Sequence, residues 1–219
     1  MSNKTYGQLC PMARALDVLG DRWTLLLIRE LLLGPKRFKD LLALLPAMGT
    51  NRLSERLAML VDNGVICPTT LPVPAAAPAY ELTELGEQLR QPMIALGLWG
   101  LNLPMDKRID PASARAELIA LCLTGASDPA ASAGLHQVVE FQVGAETFHV
   151  QINDGQVLAR SGAPAEPADM QVQCDIDTFM ALALRQLAPT RALKERRASL
   201  LRGSQRTFTR VFKVLEYRP

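Results

Sequence analysis

Imidazole and thiol groups are scarce in this sequence. Its 219 residues hold two histidines, His136 and His149, and four cysteines, Cys10, Cys67, Cys122 and Cys174. The cysteines lie far apart and form no CxxC pair, which excludes the usual zinc spacings and a disulfide framework, so a reducing cytosol is the default compartment. No nucleophile, base and orienting group stand at a recognisable spacing, and the two isolated histidines read as surface or strand-edge residues; neither an enzyme nor a cofactor or metal site is expected. A charge excess is also missing. Lys plus Arg (24) against Asp plus Glu (22) leaves +2, which by itself points to no nucleic-acid or membrane partner. No apolar run approaches the roughly 18 residues of a membrane span, because Arg29 and Glu30 interrupt the richest leucine stretch. The first eight residues carry no apolar signal-peptide core. A cytoplasmic, nucleoid-associated protein with no membrane partner is the expectation.

What is present is ordinary globular composition, 48% hydrophobic and 21% charged, which argues against wholesale disorder. The length permits one large domain or two small ones. Residues 1–105 are leucine-rich and read as successive helices; residues 135–219 hold short alternating runs separated by Gly, Asp and Pro. Between them, residues 106–134 read as a linker. Asp110-Pro111 opens a helix running to about Leu123, and the small-residue stretch from Gly125 to Gly134 is flexible and core-free. The charges split evenly, 10 basic and 9 acidic in 1–105, 14 and 13 in 106–219.

In the first part, Met12–Leu19 and Trp23–Leu33 are helical stretches divided by Gly20-Asp21. Phe38, Leu41, Leu42 and Leu45 recur at helical spacing on a short third helix. After the turn Pro46-Ala47-Met48-Gly49, Thr50 is placed to cap a fourth helix with Leu53, Leu57, Leu60 and Val61 inward. Strands follow at 65–70 and 79–82, then a long helix from Thr83. Two short helices joined by a glycine-containing turn and followed by a hairpin make a winged helix-turn-helix.

The helical period sets Asn51, Arg52, Glu55, Met59 and Asp62 opposite the inward leucines of the fourth helix. Residues near the start of a recognition helix reach base edges in the major groove. There Arg52 suits guanine O6 and N7, Asn51 adenine N6 and N7, and Glu55 the cytosine amine. Lys36, Arg37 and Lys39 cluster where the preceding helix would cross the backbone; Thr50, Ser54 and Arg56 add further phosphate contacts. Double-stranded DNA is the partner that this pattern points to.

The segment from Cys10-Pro11-Met12-Ala13-Arg14 through Asp21-Arg22-Trp23-Thr24-Leu25 resembles the opening of HxlR-type winged-helix transcriptional regulators. The likeness continues through Gly34-Pro35-Lys36-Arg37-Phe38, Asn51-Arg52-Leu53-Ser54-Glu55-Arg56-Leu57, Asp62-Asn63-Gly64-Val65-Ile66, Tyr80-Glu81-Leu82-Thr83-Glu84-Leu85-Gly86 and Leu96–Trp99. It covers residues 7–104 and implies a bacterial homodimer that binds a palindromic operator, with half-sites about one helical turn apart. It also implies that the N-terminal region and the segment after Thr83 dimerise. The loop 71–78 departs from a phosphate-gripping wing: it holds no Lys or Arg. Either it makes no DNA contact or it packs on protein, and its three prolines and apolar residues favour the second. Several regulators of this type sense oxidants or electrophiles through a cysteine matching Cys10, at a helix start where the dipole and Arg14 would favour a reactive thiolate. Cys67, Cys122 and Cys174 read as structural.

In the last part Val139, Phe141 and Val143 share one strand face, as do Phe148, Val150 and Ile152, with Asn153-Asp154-Gly155 turning into a third strand. Met170, Val172 and Cys174 mark a fourth. Asp177 is placed to cap a helix through Leu187, and Phe208, Val211, Phe212 and Leu215 mark a last one. The class is α+β, a small sandwich of an antiparallel sheet with helices on one side. Phe148–Val157, Ala168–Val172 and Asp175 resemble the sterol-carrier-protein-like domain, which in other proteins encloses an apolar tunnel. The resemblance implies a small hydrophobic ligand. Phe141, Phe148, Met170, Phe179, Met180, Phe208 and Phe212 are the pocket candidates, or else simply fill the core. Nine basic residues against Glu195 alone lie between Arg185 and Lys213; a phosphate-binding face, an anionic head-group site and a solvated surface all remain open. The sequence thus points to a DNA-binding regulator modulated by an apolar ligand. The alternatives are a redox sensor acting through Cys10 with a structural second domain, and, further off, a lipid carrier or enzyme.

Overall fold

Leucine spacing determines the first part of the fold. The computed structural model describes residues 5–104, 106–127 and 129–215, and the chain divides into two compact units at Met93/Ile94. In the first unit, α1 (Pro11–Leu19) and α2 (Thr24–Leu32) precede α3 (Phe38–Leu44), a 3-10 turn at Pro46–Met48 and α4 (Thr50–Asp62). Leu27, Ile28, Leu31 and Leu32 make α2 the buried spine. α4 buries Leu53, Leu57 and Leu60 at one-turn intervals, each contributing roughly 2 kcal/mol relative to exposure. The hairpin β1 (Ile66–Thr70) and β2 (Pro78–Leu82) is antiparallel, with Ile66 opposite Leu82.

The expected long helix from Thr83 is two helices, α5 (Glu84–Glu87) and α6 (Arg90–Gly100). Pro92 supplies the reason, since proline is tolerated in a helix's first turn but not in its interior. Thr83 fixes the start of α5: its Oγ accepts from the Gly86 N–H at 3.1 Å and donates to the Gly64 carbonyl at 2.6 Å. Arg90 turns inward, donating to the Leu32 carbonyl at the end of α2 at 2.9 Å and pairing with Glu87 at 2.7 Å. A cation there complements the negative end of the α2 dipole.

In the second unit, the helix expected from Asp110 is a 3-10 turn (Pro111–Ser113) followed by α7 (Ala116–Ala126). Glu146 accepts from the Ala116 and Glu117 N–H groups at 3.0 and 3.2 Å, which closes the open end of α7. The stretch expected to be core-free holds the end of α7 and a short α8 (Pro129–Ser132), with Ser132 buried. Strands β3 (His136–Val143), β4 (Glu146–Asn153), β5 (Gln156–Ser161) and β6 (Met170–Cys174) lead into α9 (Ile176–Ala183), α10 (Pro189–Lys194), β7 (Ala198–Arg202) and α11 (Gln205–Leu215). The sheet order is β5-β4-β3-β6-β7.

That sheet is mixed rather than wholly antiparallel, because β3 and β6 run parallel, Phe141 beside Val172. Residues 162–169 carry the chain from the end of β5 back to β3, so β6 enters in the same direction as β3. Asp175, not Asp177, caps α9, accepting from the Thr178 N–H at 2.6 Å. α9 stops at Ala183 rather than Leu187, where Arg185 turns to φ 60°. Helices α7, α9 and α11 cover the sheet face that carries Val139, Phe141, Phe148, Val150 and Met170, and the core lies between them.

Candidate nucleic-acid interface

The turn between α3 and α4 depends on Gly49, whose φ of 76° belongs to the left-handed region. Gly49 occupies the cap position and Thr50 is the first helical residue, so the helix starts one residue earlier than a Thr50 cap would have it. The first turn and a half of α4 then presents Thr50, Asn51, Arg52, Ser54 and Glu55 as exposed side chains, opposite the buried leucines. Their donors and acceptors, at the positive end of a helix dipole, match base edges and phosphate oxygens.

Arg56 is placed differently. It is half-buried, bonding Glu55 at 3.1 Å and lying 3.9 Å from Asp21, so its charge ties α4 to the turn before α2. The chain tie through Asp21 and the inward Arg90 escaped the sequence reading; only the apolar neighbourhood of each cation hinted at them. Of the cluster before α3, Lys39 is exposed. Arg37 is bound by Asp40 in a two-pronged pair, Nε to Oδ2 at 2.7 Å and Nη2 to Oδ1 at 2.9 Å, which holds the Asp40 carboxyl below the usual carboxylate range. Lys36 is only 9% exposed. Its backbone pairs with Tyr80 in both directions, at 3.0 and 2.9 Å, and its ammonium donates to the Gly34 carbonyl at 3.4 Å. Lys36 is thus tied to the base of the hairpin, and the structure separates it from the exposed Lys39. The loop between β1 and β2 is exposed at its tip. Pro72 to Ala76 are exposed, Val73 by 85%.

Cys10 stands at the N-cap of α1, half-buried, with no side-chain bond to the helix end. Cys67 and Cys122 are half-buried, and burial pushes the Cys174 thiol up to about 12, with the Asp175 charge adding to the effect. His136 is exposed at the start of β3, whereas His149 is buried on the inner strand β4, its Nδ1 2.9 Å from the Gly162 carbonyl. The second histidine therefore belongs to the sheet and not to its edge.

The pocket candidates come together as one cluster. Phe141 stacks on Phe148 with centroids 5.3 Å apart; Phe179 meets both edge-on at 5.5 Å, and Phe212 meets Phe141 at 6.0 Å and Phe208 at 5.0 Å. Met170 is fully buried and Met180 is partly exposed. The rings occupy the space between sheet and helices by touching one another. Among the described residues no group of three His, Cys, Asp or Glu side chains could hold a metal ion, and no helix is long and apolar enough to cross a membrane.

Comparison with known proteins fits this geometry. A family model described as HxlR-like helix-turn-helix matches residues 18–107, and one described as the SCP-2 sterol transfer family matches residues 117–215. The helix-turn-helix-type transcriptional regulator YodB of Bacillus subtilis is 36% identical over 92 residues, 42% of this chain and 82% of that protein. The uncharacterized helix-turn-helix-type transcriptional regulator sll1512 of Synechocystis is 33% identical over 90 residues, 41% of this chain and 67% of that protein. Among solved structures, quinone-bound YodB is 33% identical and covers 43% of this chain and 100% of that one, with a TM-score of 0.38.

Proposed function

Because the chain belongs to the HxlR-like helix-turn-helix family of transcriptional regulators, we propose that it acts as a homodimer reading a palindromic operator with the exposed face of α4. The observation that carries this reading is the division of α4 into buried leucines and an exposed Thr50, Asn51, Arg52, Ser54 and Glu55 face. Arg52 and Asn51 read bases, Glu55 selects for a cytosine amine, and Thr50, Ser54 and Lys39 hold phosphates. Arg37 and Arg56, each already tied to a carboxylate, contact phosphates through the guanidinium N–H groups those pairs leave over. Dimerisation through the terminal helices is supported by exposed apolar side chains: Met12 and Leu16 one turn apart on α1, and Leu96 and Trp99 on α6. The protein then works in the cytoplasm, on the nucleoid, and has no catalytic step.

The SCP-2 match supports an apolar ligand in the second unit. Since the phenylalanine rings fill the core by mutual contact, the ligand enters by parting them, with Phe179 on α9 and Phe212 on α11 moving off the sheet. It regulates only by binding one dimer geometry better than another. Arg52→Ala tests the DNA reading. A lost bidentate base contact weakens operator binding by about 1–3 kcal/mol and relaxes specificity at one position of each half-site; unchanged affinity and specificity would refute the assignment of α4. A second reading has Cys10 as an oxidant sensor, favoured by its place at the head of α1. It fails if Cys10→Ser loses DNA binding under mild peroxide as fully as the wild type.

A further inference from the structure

Three basic residues of the second unit are distributed along one helix. On α11, Phe208, Val211, Phe212, Val214 and Leu215 face the core, while Arg206, Arg210 and Lys213 recur at i, i+4 and i+7 on the exposed side with Thr209 among them. At 1.5 Å per residue these cations span about 10 Å. No described carboxylate forms an ion pair with any of the three, and Arg210 is held in place by its bond to the Ala133 carbonyl at 2.8 Å. α10 lies beside α11. An open cleft of about 710 Å³ between them is lined by Lys194 and by Gln205 at the start of α11. The one acid of the stretch, Glu195, is matched to Arg191 at 2.6 Å.

A small anion would find no enclosure here, since the cleft is open and Glu195 lines it. A membrane-surface helix needs a free apolar face, and that of α11 is already buried. Single strands are gripped by stacking on exposed aromatic rings, and the exposed side of α11 has none. A row of cations with a hydroxyl among them fits the phosphate backbone of a duplex. Resting on the reading of this chain as a DNA-binding regulator, we infer that the Arg206, Arg210 and Lys213 face of α11, with Lys194 on the neighbouring α10, is a second, sequence-independent contact to duplex DNA.

The test uses the full chain and a long duplex of mixed sequence, titrated across a range of salt concentrations. The wild type binds with a steep salt slope. The variant R206Q/R210Q/K213Q should flatten that slope by about 0.9 per lost phosphate contact and bind roughly 100-fold more weakly near physiological salt, from counterion release alone. The variant R206K/R210K should keep most of both, and an unchanged thermal transition shows that the loss is not unfolding. An unchanged slope in the triple variant overturns this inference and leaves the α4 reading standing. A wild type that binds no duplex removes both. If the triple substitution abolishes binding to vesicles of phosphatidylglycerol and phosphatidylcholine while duplex binding is untouched, the face is a membrane site and the DNA assignment is wrong.

Discussion

Replacing Gly86 by alanine would test how the hairpin is joined to the helices. A Cβ at this position would lie 2.1 Å from the Val65 carbonyl oxygen and 2.9 Å from Leu82 Cδ2, nearer than the 3.0 Å that real Cβ atoms keep. The oxygen cannot turn away freely, because it accepts from the Thr83 N–H at 3.1 Å. Relief requires α5 to back away by about 1 Å, with overpacking strain of about 1–3 kcal/mol. That movement weakens the Thr83 cap on Gly86, about 1 kcal/mol, and the Thr83–Val65 bond, about 1 kcal/mol. The sum, about 3–5 kcal/mol, is a large part of the 5–15 kcal/mol that holds a typical domain. Urea unfolding in a Trp99→Phe background, where Trp23 alone reports on the first unit, should show a midpoint shift of that size. A change below about 0.5 kcal/mol would mean that the close approach is not a real constraint.

Three further outcomes follow from individual side chains. Lys39→Ala should reduce the magnitude of the DNA salt slope by about one, whereas Lys36→Ala should leave it unchanged and lower stability; equal slopes for both variants would contradict the separation of the two lysines. Asp175, held below the ordinary carboxylate range chiefly by the Thr178 bonds, contributes stability present above its unfolded value and lost as pH falls through its folded value. Asp175→Ala should therefore be less stable than wild type at neutral pH, by about 1 kcal/mol or less because the site is exposed, and equally stable in acid; a difference that persists in acid refutes the cap. Iodoacetamide at pH 8 should label Cys10, Cys67 and Cys122 before Cys174, whose thiol is pushed up to about 12 by burial, and urea should remove the difference; comparable native labelling of Cys174 would show that its burial is not maintained.

The helix proposed to read DNA was legible because α4 is amphipathic on its own: the Leu53, Leu57, Leu60 spacing fixes the inner face, and the outer face follows. The strands around Phe141 and Phe148 were legible by their alternation. β7 was not, since Ala198–Arg202 is an edge strand with only Ala198 buried, and the arginines on either side of its leucines, Arg196, Arg197 and Arg202, read as a charged surface. The parallel entry of β6 was hidden for another reason. Strand direction depends on the route of residues 162–169 and leaves no trace in the alternation of Met170, Val172 and Cys174. The candidate site was legible by position but not by partner. Lys36, Arg37, Lys39 and Arg56 are alike in sequence, yet Gly34 and Tyr80, Asp40, and Asp21 with Glu55 hold three of them, so only Lys39 stays fully presented. The ring cluster shows the same limit. Seven apolar residues describe a filled core and a ligand pocket equally well, and only their mutual distances show that the space is occupied by the rings themselves.

Two copies of this chain, on the function proposed above, read DNA sequence through α4. Selection of duplexes from a random pool, with the wild-type chain and with Arg52→Ala, is the decisive experiment. The wild type should enrich a palindrome with half-sites about one helical turn apart, and the variant should lose preference at one symmetric pair of positions. Enrichment of no sequence, or of the same sequence with undiminished preference by the variant, would contradict it.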